Sequence, residues 1–130
     1  MSTAQEIYSP GLEGVVAGET AVSTVTGGLR YRGYPVVELV QHATFEEVSY
    51  LLLHGELPRR QELEPFRARV AAAMSLPPLV RDTLRGLPPG AVPMDALRSA
   101  VSLLAAYDPD LADNGKEANL RKAERLLGQI

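Results

Sequence analysis

The spacing of hydrophobic positions changes at Pro35. Before it, residues 12–25 are rich in β-branched side chains that partly alternate with polar ones, a pattern typical of a short strand. Gly27 and Gly28 then supply a reversal at which a positive φ costs little, and residues 29–34 alternate again. The first 35 residues therefore predict an N-terminal arm and a β-hairpin.

The stretch "TGGLRYRGYP", residues 26–35, concentrates arginine, tyrosine and glycine. Such a composition can hold a phosphate or a nucleotide, but it also describes a tight turn followed by a surface strand. We interpret it as the turn and the returning strand. In that strand Tyr31 and Gly33 are predicted to face inward, and Arg30, Arg32 and Tyr34 to face outward.

After Pro35 the hydrophobic period becomes about 3.6 residues, which indicates helices. Residues 36–43 predict a short helix, and Thr44 with Glu47 predicts a capping box that opens a second one. Gly55 suits the exit of this second helix, and Pro58 prevents its resumption. Its inner face is predicted to contain Phe45, Val48 and Leu52, with Leu51 beside them.

A third helix is predicted within residues 59–74, with an apolar stripe at Leu63, Phe66, Val70 and Ala73. Because Pro65 lies inside this segment, we expect either a kink or a helix that begins near Pro65. A short fourth helix should be opened by the proline pair at 77–78 and closed by Gly86.

A fifth helix is predicted at about residues 94–107. One of its faces has Met94, Leu97, Val101 and Leu104, and another has the small residues Ser99, Ser102 and Ala106, which permit close helix approach. The last helix should begin near Asn114 and include Leu120, Ala123, Leu127 and Ile130. The apolar stripe of this helix runs to the last residue without a C-terminal glycine or lysine cap, so we expect the natural chain to continue.

Composition narrows the functional class. The chain has 130 residues, of which 45% are hydrophobic and 22% charged, and its net charge is -3. This length fits one domain, and no apolar run approaches the ~20 residues that span a bilayer. Neither half has the basic excess of a nucleic-acid-binding protein. The N-terminus does not resemble a signal peptide, so we expect a cytoplasmic protein with no membrane or nucleic-acid partner.

Few residues could carry chemistry. No cysteine is present, which excludes disulfides and thiolate nucleophiles, and the histidines are His42 and His54. We interpret His54, at a helix end beside Gly55, as a capping residue, with a chemical role as the alternative. His42 is interpreted as an exposed linker residue. The sequence predicts no catalytic, cofactor-binding or metal-binding residue in this chain.

Three groups of charged residues have simple structural interpretations. Asp108, Asp110 and Asp113 lie close together, but their spacing does not match an EF-hand loop, and a helix stop followed by an N-cap at Asp113 or Asn114 explains them. The adjacent Glu46 and Glu47 diverge on a helix and cannot form an acid/base pair. The arginines of the third helix are mixed with glutamates and predict a solvated, salt-bridged face: Arg59, Arg60, Arg67 and Arg69, with Glu62 and Glu64.

Several segments together resemble the first part of citrate synthases of the bacterial and archaeal branch, which includes 2-methylcitrate synthases. They are "GLEGVVAGETAVSTV", "GLRYRGYPVVELV", "ATFEEVSYLLLHGELP", "PMDALRSAVSLL" with "YDPD", and "RLLGQI". The resemblance covers nearly all of residues 11–130, in the family's order and spacing. The chain departs from the family pattern at Val92, where a histidine is usual, and at Arg59, where a helix-capping residue is usual.

The resemblance implies a mainly α-helical homodimer that condenses acetyl-CoA, or another short acyl-CoA, with oxaloacetate in the tricarboxylic acid cycle. Such an enzyme would require no cofactor. Residues 36–130 would then be an incomplete N-terminal part of the large domain, with residues 1–35 as the arm and hairpin. The helices near 94–107 and 114–130 would help form the dimer interface. The family's catalytic histidines and aspartate lie in segments that have no counterpart here.

Two functions therefore stay open. The chain is either the N-terminal segment of a citrate synthase-type enzyme, inactive alone, or a naturally short, non-catalytic interaction module. As a piece of such an enzyme, the isolated chain should expose an apolar patch and self-associate or aggregate unless the missing helices are supplied. A helical nucleic-acid-binding regulator is disfavoured by the acidic charge balance.

Overall fold

The computed structural model describes Val16 and residues 18–130. The first part of the predicted arm and strand lies outside these residues. A small antiparallel sheet precedes six α-helices, and a single 3-10 turn, Ala105–Tyr107, follows the fifth helix. The elements are β1 Ser23–Thr24, β2 Arg30–Tyr31, β3 Tyr34–Pro35, α1 Val36–His42, α2 Phe45–His54, α3 Arg60–Ala73, α4 Pro78–Arg85, α5 Pro93–Leu104 and α6 Lys116–Gln129.

The predicted hairpin is present as β1 and β2, in which Ser23 pairs with Tyr31, and a third strand extends it. The returning segment does not continue through Gly33 as predicted. Arg32 (φ 49°) and Gly33 (φ 91°) instead form a two-residue turn, so that β3 folds back and Tyr34 pairs with Tyr31. Two consecutive positive φ angles are typical of the tight turns that match strand twist. Gly33 is consequently exposed at the turn rather than directed inward.

A side-chain contact ties this sheet to the helices. Arg32 donates a hydrogen bond from Nη2 to the Leu52 carbonyl oxygen of α2 at 3.0 Å. Since that carbonyl lies in the last turn of α2, where no further helical N–H reaches it, the arginine acts as a distant cap.

The start of α2 follows the predicted capping box. The Glu47 amide donates to Thr44 Oγ1 at 3.3 Å, and the Thr44 amide donates to Glu47 Oε2 at 2.7 Å. Gly55 ends the helix with φ 100°, as expected for a left-handed C-terminal residue. The predicted inner face is only partly right: Leu51 is fully buried, but Phe45 is 67% exposed. Phe45 is the first residue of the helix and lies beyond the edge of the packed core.

Helix α3 begins at Arg60, so the alternative that it begins near Pro65 is wrong. Its first turn is held by Glu62 Oε2, which accepts a hydrogen bond from the Arg59 amide at 2.8 Å. This contact lets the helix start five residues ahead of the proline. The predicted stripe is confirmed, with Phe66 fully buried and Leu63 and Val70 nearly so.

Helices α4 and α5 pack together around a second group of apolar residues. Val80, Ala100 and Leu104 form its buried centre, and Leu76, Leu84, Leu103 and Leu126 pack against it. Proline at the first position opens both helices, as predicted for α4. The buried face of α5 contains Ala100 and Leu104. Met94, which was predicted to share the apolar face with Leu104, is 69% exposed.

Helix α6 packs along α3 at close range. A Cβ atom at Gly128 would collide with the Val70 carbonyl oxygen and lie 3.1 Å from Ala73 Cβ, so only glycine fits this crossing. The residue preceding α6 is Gly115, not the predicted Asp113 or Asn114. Asp113 stabilises the turn that precedes the helix, because its Oδ1 accepts a hydrogen bond from the Gly115 amide at 2.8 Å.

Within Val16 and residues 18–130, none of the helices has the length and apolar character needed to cross a bilayer.

Candidate functional site

The most concentrated group of ionisable side chains lies where α2, α3 and α6 meet. His54, the last residue of α2, stacks on Tyr50 one turn earlier, with ring centroids 4.1 Å apart and planes inclined by 22°. Tyr50 in turn meets the buried Phe66 of α3 edge to face, at 5.4 Å. The imidazole is thereby fixed against the core and directed towards α6.

The partner of His54 on α6 is Glu124, whose Oε1 lies 3.4 Å from the imidazole Nε2. Arg69 on α3 holds the same carboxylate at two points, with Nε to Oε2 at 2.6 Å and Nη2 to Oε1 at 2.9 Å. Glu124 is only 7% exposed. A buried carboxylate needs such a partner, and the fork of an arginine matches both of its oxygens.

Electrostatics keep this carboxylate ionised. The hydrogen bonds from Arg69 lower the pKa of Glu124 below its usual value, and this outweighs the opposite effect of burial. Burial raises the pKa of Tyr50, so its phenol stays neutral. Since both Glu124 oxygens already accept hydrogen bonds from Arg69, the carboxylate is a weak proton acceptor and primarily joins three helices.

An open cleft of about 470 Å³ adjoins the cluster and is lined by Tyr50, His54, Glu56, Leu57, Arg59 and Glu62. Tyr50 lines this cleft together with His54. The predicted role of His54 was to cap α2. Its imidazole Nε2 instead faces Glu124, and a chemical role for it stays a prediction.

A second charged cluster occupies the loop between α5 and α6. Asp110 accepts hydrogen bonds from Arg121 Nη2 at 2.6 Å and from Arg125 Nη2 at 2.8 Å, and Arg125 also donates to Asp108 at 2.6 Å. The hydrogen bonds from Arg121 and then Arg125 hold the pKa of Asp110 far below its usual range. The aspartates are thus neutralised by arginines of α6.

The remaining candidates lie apart from both clusters. His42 ends α1 and is exposed, and Glu47 caps α2 while Glu46 lies 3.9 Å from Arg67. Arg67 is also 3.6 Å from Glu64, which fits the predicted salt-bridged face of α3. No group of three or more histidine or acidic side chains suited to a metal ion occurs in the part of the chain that the structure describes.

The pairing of Arg69 with Glu124, which are 55 positions apart, was not predicted from the sequence. Arg69 was assigned to the solvated face of α3, and Glu124 was not singled out. A signal was available, because Glu124 lies between Ala123 and Leu127 on the apolar side of α6. A charge at a position with that spacing requires a partner of opposite sign.

Comparison with known proteins identifies the family. Residues 11–130 match the family model described as citrate synthase, C-terminal domain. A 2-methylcitrate synthase from Shewanella oneidensis is 40% identical in an alignment 130 residues long that covers 98% of this chain and 34% of the relative. A citrate/2-methylcitrate synthase from Bacillus subtilis is 40% identical in an alignment 126 residues long that covers 95% of this chain and 34% of the relative.

Solved structures agree with this result. The citrate synthase from Pyrobaculum aerophilum superposes with a TM-score of 0.82 at 35% identity, over 99% of this chain and 37% of that one. The citrate synthase from the thermophilic archaeon Thermoplasma acidophilum, solved with carboxymethyl coenzyme A and oxaloacetate, gives 0.82 at 29% identity over 89% of this chain and 31% of that one. The chain spans about a third of the length of the relatives that it matches. It belongs to the citrate synthase family.

Proposed function

We propose that this chain is the N-terminal segment of a citrate synthase-type acyltransferase. The enzyme would condense acetyl-CoA, or another short acyl-CoA, with oxaloacetate to give citrate, or the corresponding homologue, and CoA. The observation that carries the proposal is the superposition on the Thermoplasma acidophilum enzyme, whose structure contains a coenzyme A derivative and oxaloacetate. The reaction would take place in the tricarboxylic acid cycle and in the cytoplasm, and it needs no cofactor.

In this proposal the 130 residues contribute fold and assembly rather than reacting groups. The carboxylates with the strongest charge partners are engaged by arginines: Glu124 by Arg69, and Asp110 by Arg121 and Arg125. Acid/base catalysis needs a group free to exchange a proton with substrate, which these carboxylates are not. The catalytic histidines and aspartate would lie in the remaining two thirds of the enzyme.

We further propose a homodimer formed through residues 94–107 and 114–130. The small residues Ser99, Ser102 and Ala106 of this region are exposed, and so is Met94. Met94 and the small residues lie on two different faces of this region, and their exposure leaves both faces available to another subunit. The division into an arm at 1–35 and a large-domain part at 36–130 stays a prediction.

The alternative, a naturally short interaction module, is not favoured. The curated relatives that match this chain are citrate and 2-methylcitrate synthases about three times its length. Whether the coding frame continues beyond Ile130 into further helix would distinguish the two functions directly.

A chimera tests the proposal. Residues 1–130 would replace the matching third of the Bacillus subtilis citrate/2-methylcitrate synthase, and CoA release from acetyl-CoA or propionyl-CoA with oxaloacetate would be followed with a thiol reagent. This chain has no cysteine and adds no background of its own. We expect the chimera to be active, and the isolated chain and the Bacillus enzyme without that third to be inactive. A folded but inactive chimera, or CoA release by the isolated chain, would contradict the proposal.

A further inference from the structure

An apolar groove runs between α2 and α6. It encloses about 500 Å³, and its main lining residues are Phe45, Leu52, Leu53, Ala123, Leu127 and Ile130. Phe45 is 67% exposed and Ile130 is 70% exposed. Contiguous exposed apolar surface of this kind marks a place where another surface docks.

The chemistry of the lining decides which class of occupant fits. Ser49 is the polar side chain among the groove residues, and its hydroxyl already donates to the Phe45 carbonyl oxygen at 2.8 Å. Small-molecule sites combine apolar walls with a few free polar groups that orient the ligand. Among the described residues, this groove offers no such free side chain. An apolar stretch of polypeptide suits it better.

The source of that polypeptide follows from the extent of the match. The chain superposes on citrate synthases with a TM-score of 0.82 but covers only 37% and 31% of the two solved chains. Most of each neighbour therefore lies outside the matched third, and it must cover part of this third. The proposed dimer interface includes residues 114–130, which contribute Ala123, Leu127 and Ile130 to the groove, so the second subunit is the alternative occupant that the test must exclude.

We propose that the α2–α6 groove is the docking site for an apolar helical segment from the remaining two thirds of the same citrate synthase subunit. This inference rests on the proposed function. In the whole enzyme, Phe45 and Leu127 would be core residues shared between the two parts of the subunit.

The test substitutes Phe45→Asp in the chimera with the Bacillus subtilis enzyme. Phe45 is the first residue of α2, where an aspartate is favourable to the helix dipole, so α2 itself should form. The matched control is Val37→Asp, because Val37 is also 67% exposed and also lies in the first turn of a helix, α1. Val37 does not line the groove.

We expect Phe45→Asp to lower the thermal midpoint of the chimera by roughly 3 °C or more. The same substitution should change the thermal midpoint of the isolated chain by less than about 1 °C. Val37→Asp should change the thermal midpoint only slightly, both in the chimera and in the isolated chain. Sedimentation of the Phe45→Asp chimera should still show a dimer.

Equal effects of Phe45→Asp and Val37→Asp in an active chimera would overturn the groove assignment and leave the proposed function intact. Dissociation of the Phe45→Asp chimera into monomers would also overturn it, because the occupant would then be the second subunit. An inactive parent chimera, before any substitution, would instead count against the proposed function.

Discussion

Arg69 on α3 and Glu124 on α6 form a two-point salt bridge, with Nε to Oε2 at 2.6 Å and Nη2 to Oε1 at 2.9 Å. The carboxylate is 7% exposed, whereas the arginine side chain is 51% exposed. The pair therefore lies at the boundary of the core, with its negative member inside. Removal of the arginine would leave a nearly buried charge with His54 as its remaining close partner.

We expect Arg69→Ala to destabilise the chain by about 1–3 kcal/mol, less than for a fully buried pair because water screens the exposed arginine. Urea unfolding at pH 7 measures this. The control is Arg98→Ala, which breaks the surface pair with Asp95 at 3.1 Å and should cost under about 0.5 kcal/mol. Equal losses in the two variants would show that the Arg69 pair does not stabilise the junction of the helices.

Stability should depend on pH through the same carboxylate. The pKa of Glu124 is lower in the folded chain than its usual 4.5, mainly because of the hydrogen bonds from Arg69. The unfolded chain therefore takes up this proton first as the pH falls. The contribution of the ion pair is present above the usual pKa and is lost as the pH falls through the folded pKa.

Glu124→Gln isolates this effect, since it removes the titrating group and keeps the shape. We expect the urea midpoint of the wild type to exceed that of Glu124→Gln most at pH 7, and the gap to narrow below about pH 4.5. Glu47 and Asp110, whose pKa values are also lowered, titrate in both proteins and cancel in the comparison. A gap that stays constant down to pH 3 would contradict the assignment.

Gly128→Ala should destabilise the chain although alanine favours helices. The added Cβ would collide with the Val70 carbonyl oxygen and crowd Ala73, forcing α6 away from α3. Overpacking of this kind costs roughly 1–3 kcal/mol. Gly86→Ala is the control, because its Cβ would lie 3.4 Å from the nearest atom and its φ is -82°. A Gly128→Ala variant as stable as Gly86→Ala would show that the helices can separate freely.

The proposed dimer can be tested at the exposed Met94 of α5. We expect Met94→Asp in the active chimera to weaken dimerisation at least about tenfold, as a desolvated charge at an interface does. Sedimentation equilibrium would measure the dissociation constant, with Val37→Asp as the control of equal charge and similar exposure. An unchanged dissociation constant for Met94→Asp would place the dimer interface elsewhere.

Features that depend on a few neighbouring residues were predicted correctly. The Thr44 and Glu47 capping box, the left-handed Gly55 and the proline that opens α4 each follow from short-range geometry. The apolar stripe of α3 was also predicted correctly, because a period of 3.6 residues can be recognised within one short stretch of sequence. The family resemblance added what no local rule supplied, namely the kind of enzyme.

Features that depend on how helices meet were missed. The residues around Glu124 in the sequence do not indicate that Arg69 is its partner. The residues around Gly128 do not indicate that α3 approaches it closely. Phe45 was assigned to the core because it fits the apolar period of α2, yet the surface that would cover it is not within the described residues. Periodicity identifies an apolar face, but it does not say which chain segment covers that face.

The turn at Arg32 couples the sheet to the end of α2. Arg32 has φ 49°, a conformation that arginine seldom adopts, and its guanidinium reaches the Leu52 carbonyl oxygen, 20 positions later, at 3.0 Å. Without that acceptor the strained turn would keep only its bonds within the sheet region, from the Arg32 amide to the Val22 carbonyl oxygen at 2.8 Å and from Nη1 to the Ala21 carbonyl oxygen at 3.5 Å. The turn that closes β3 is therefore coupled energetically to the last turn of α2, and a change at either one should be felt at the other.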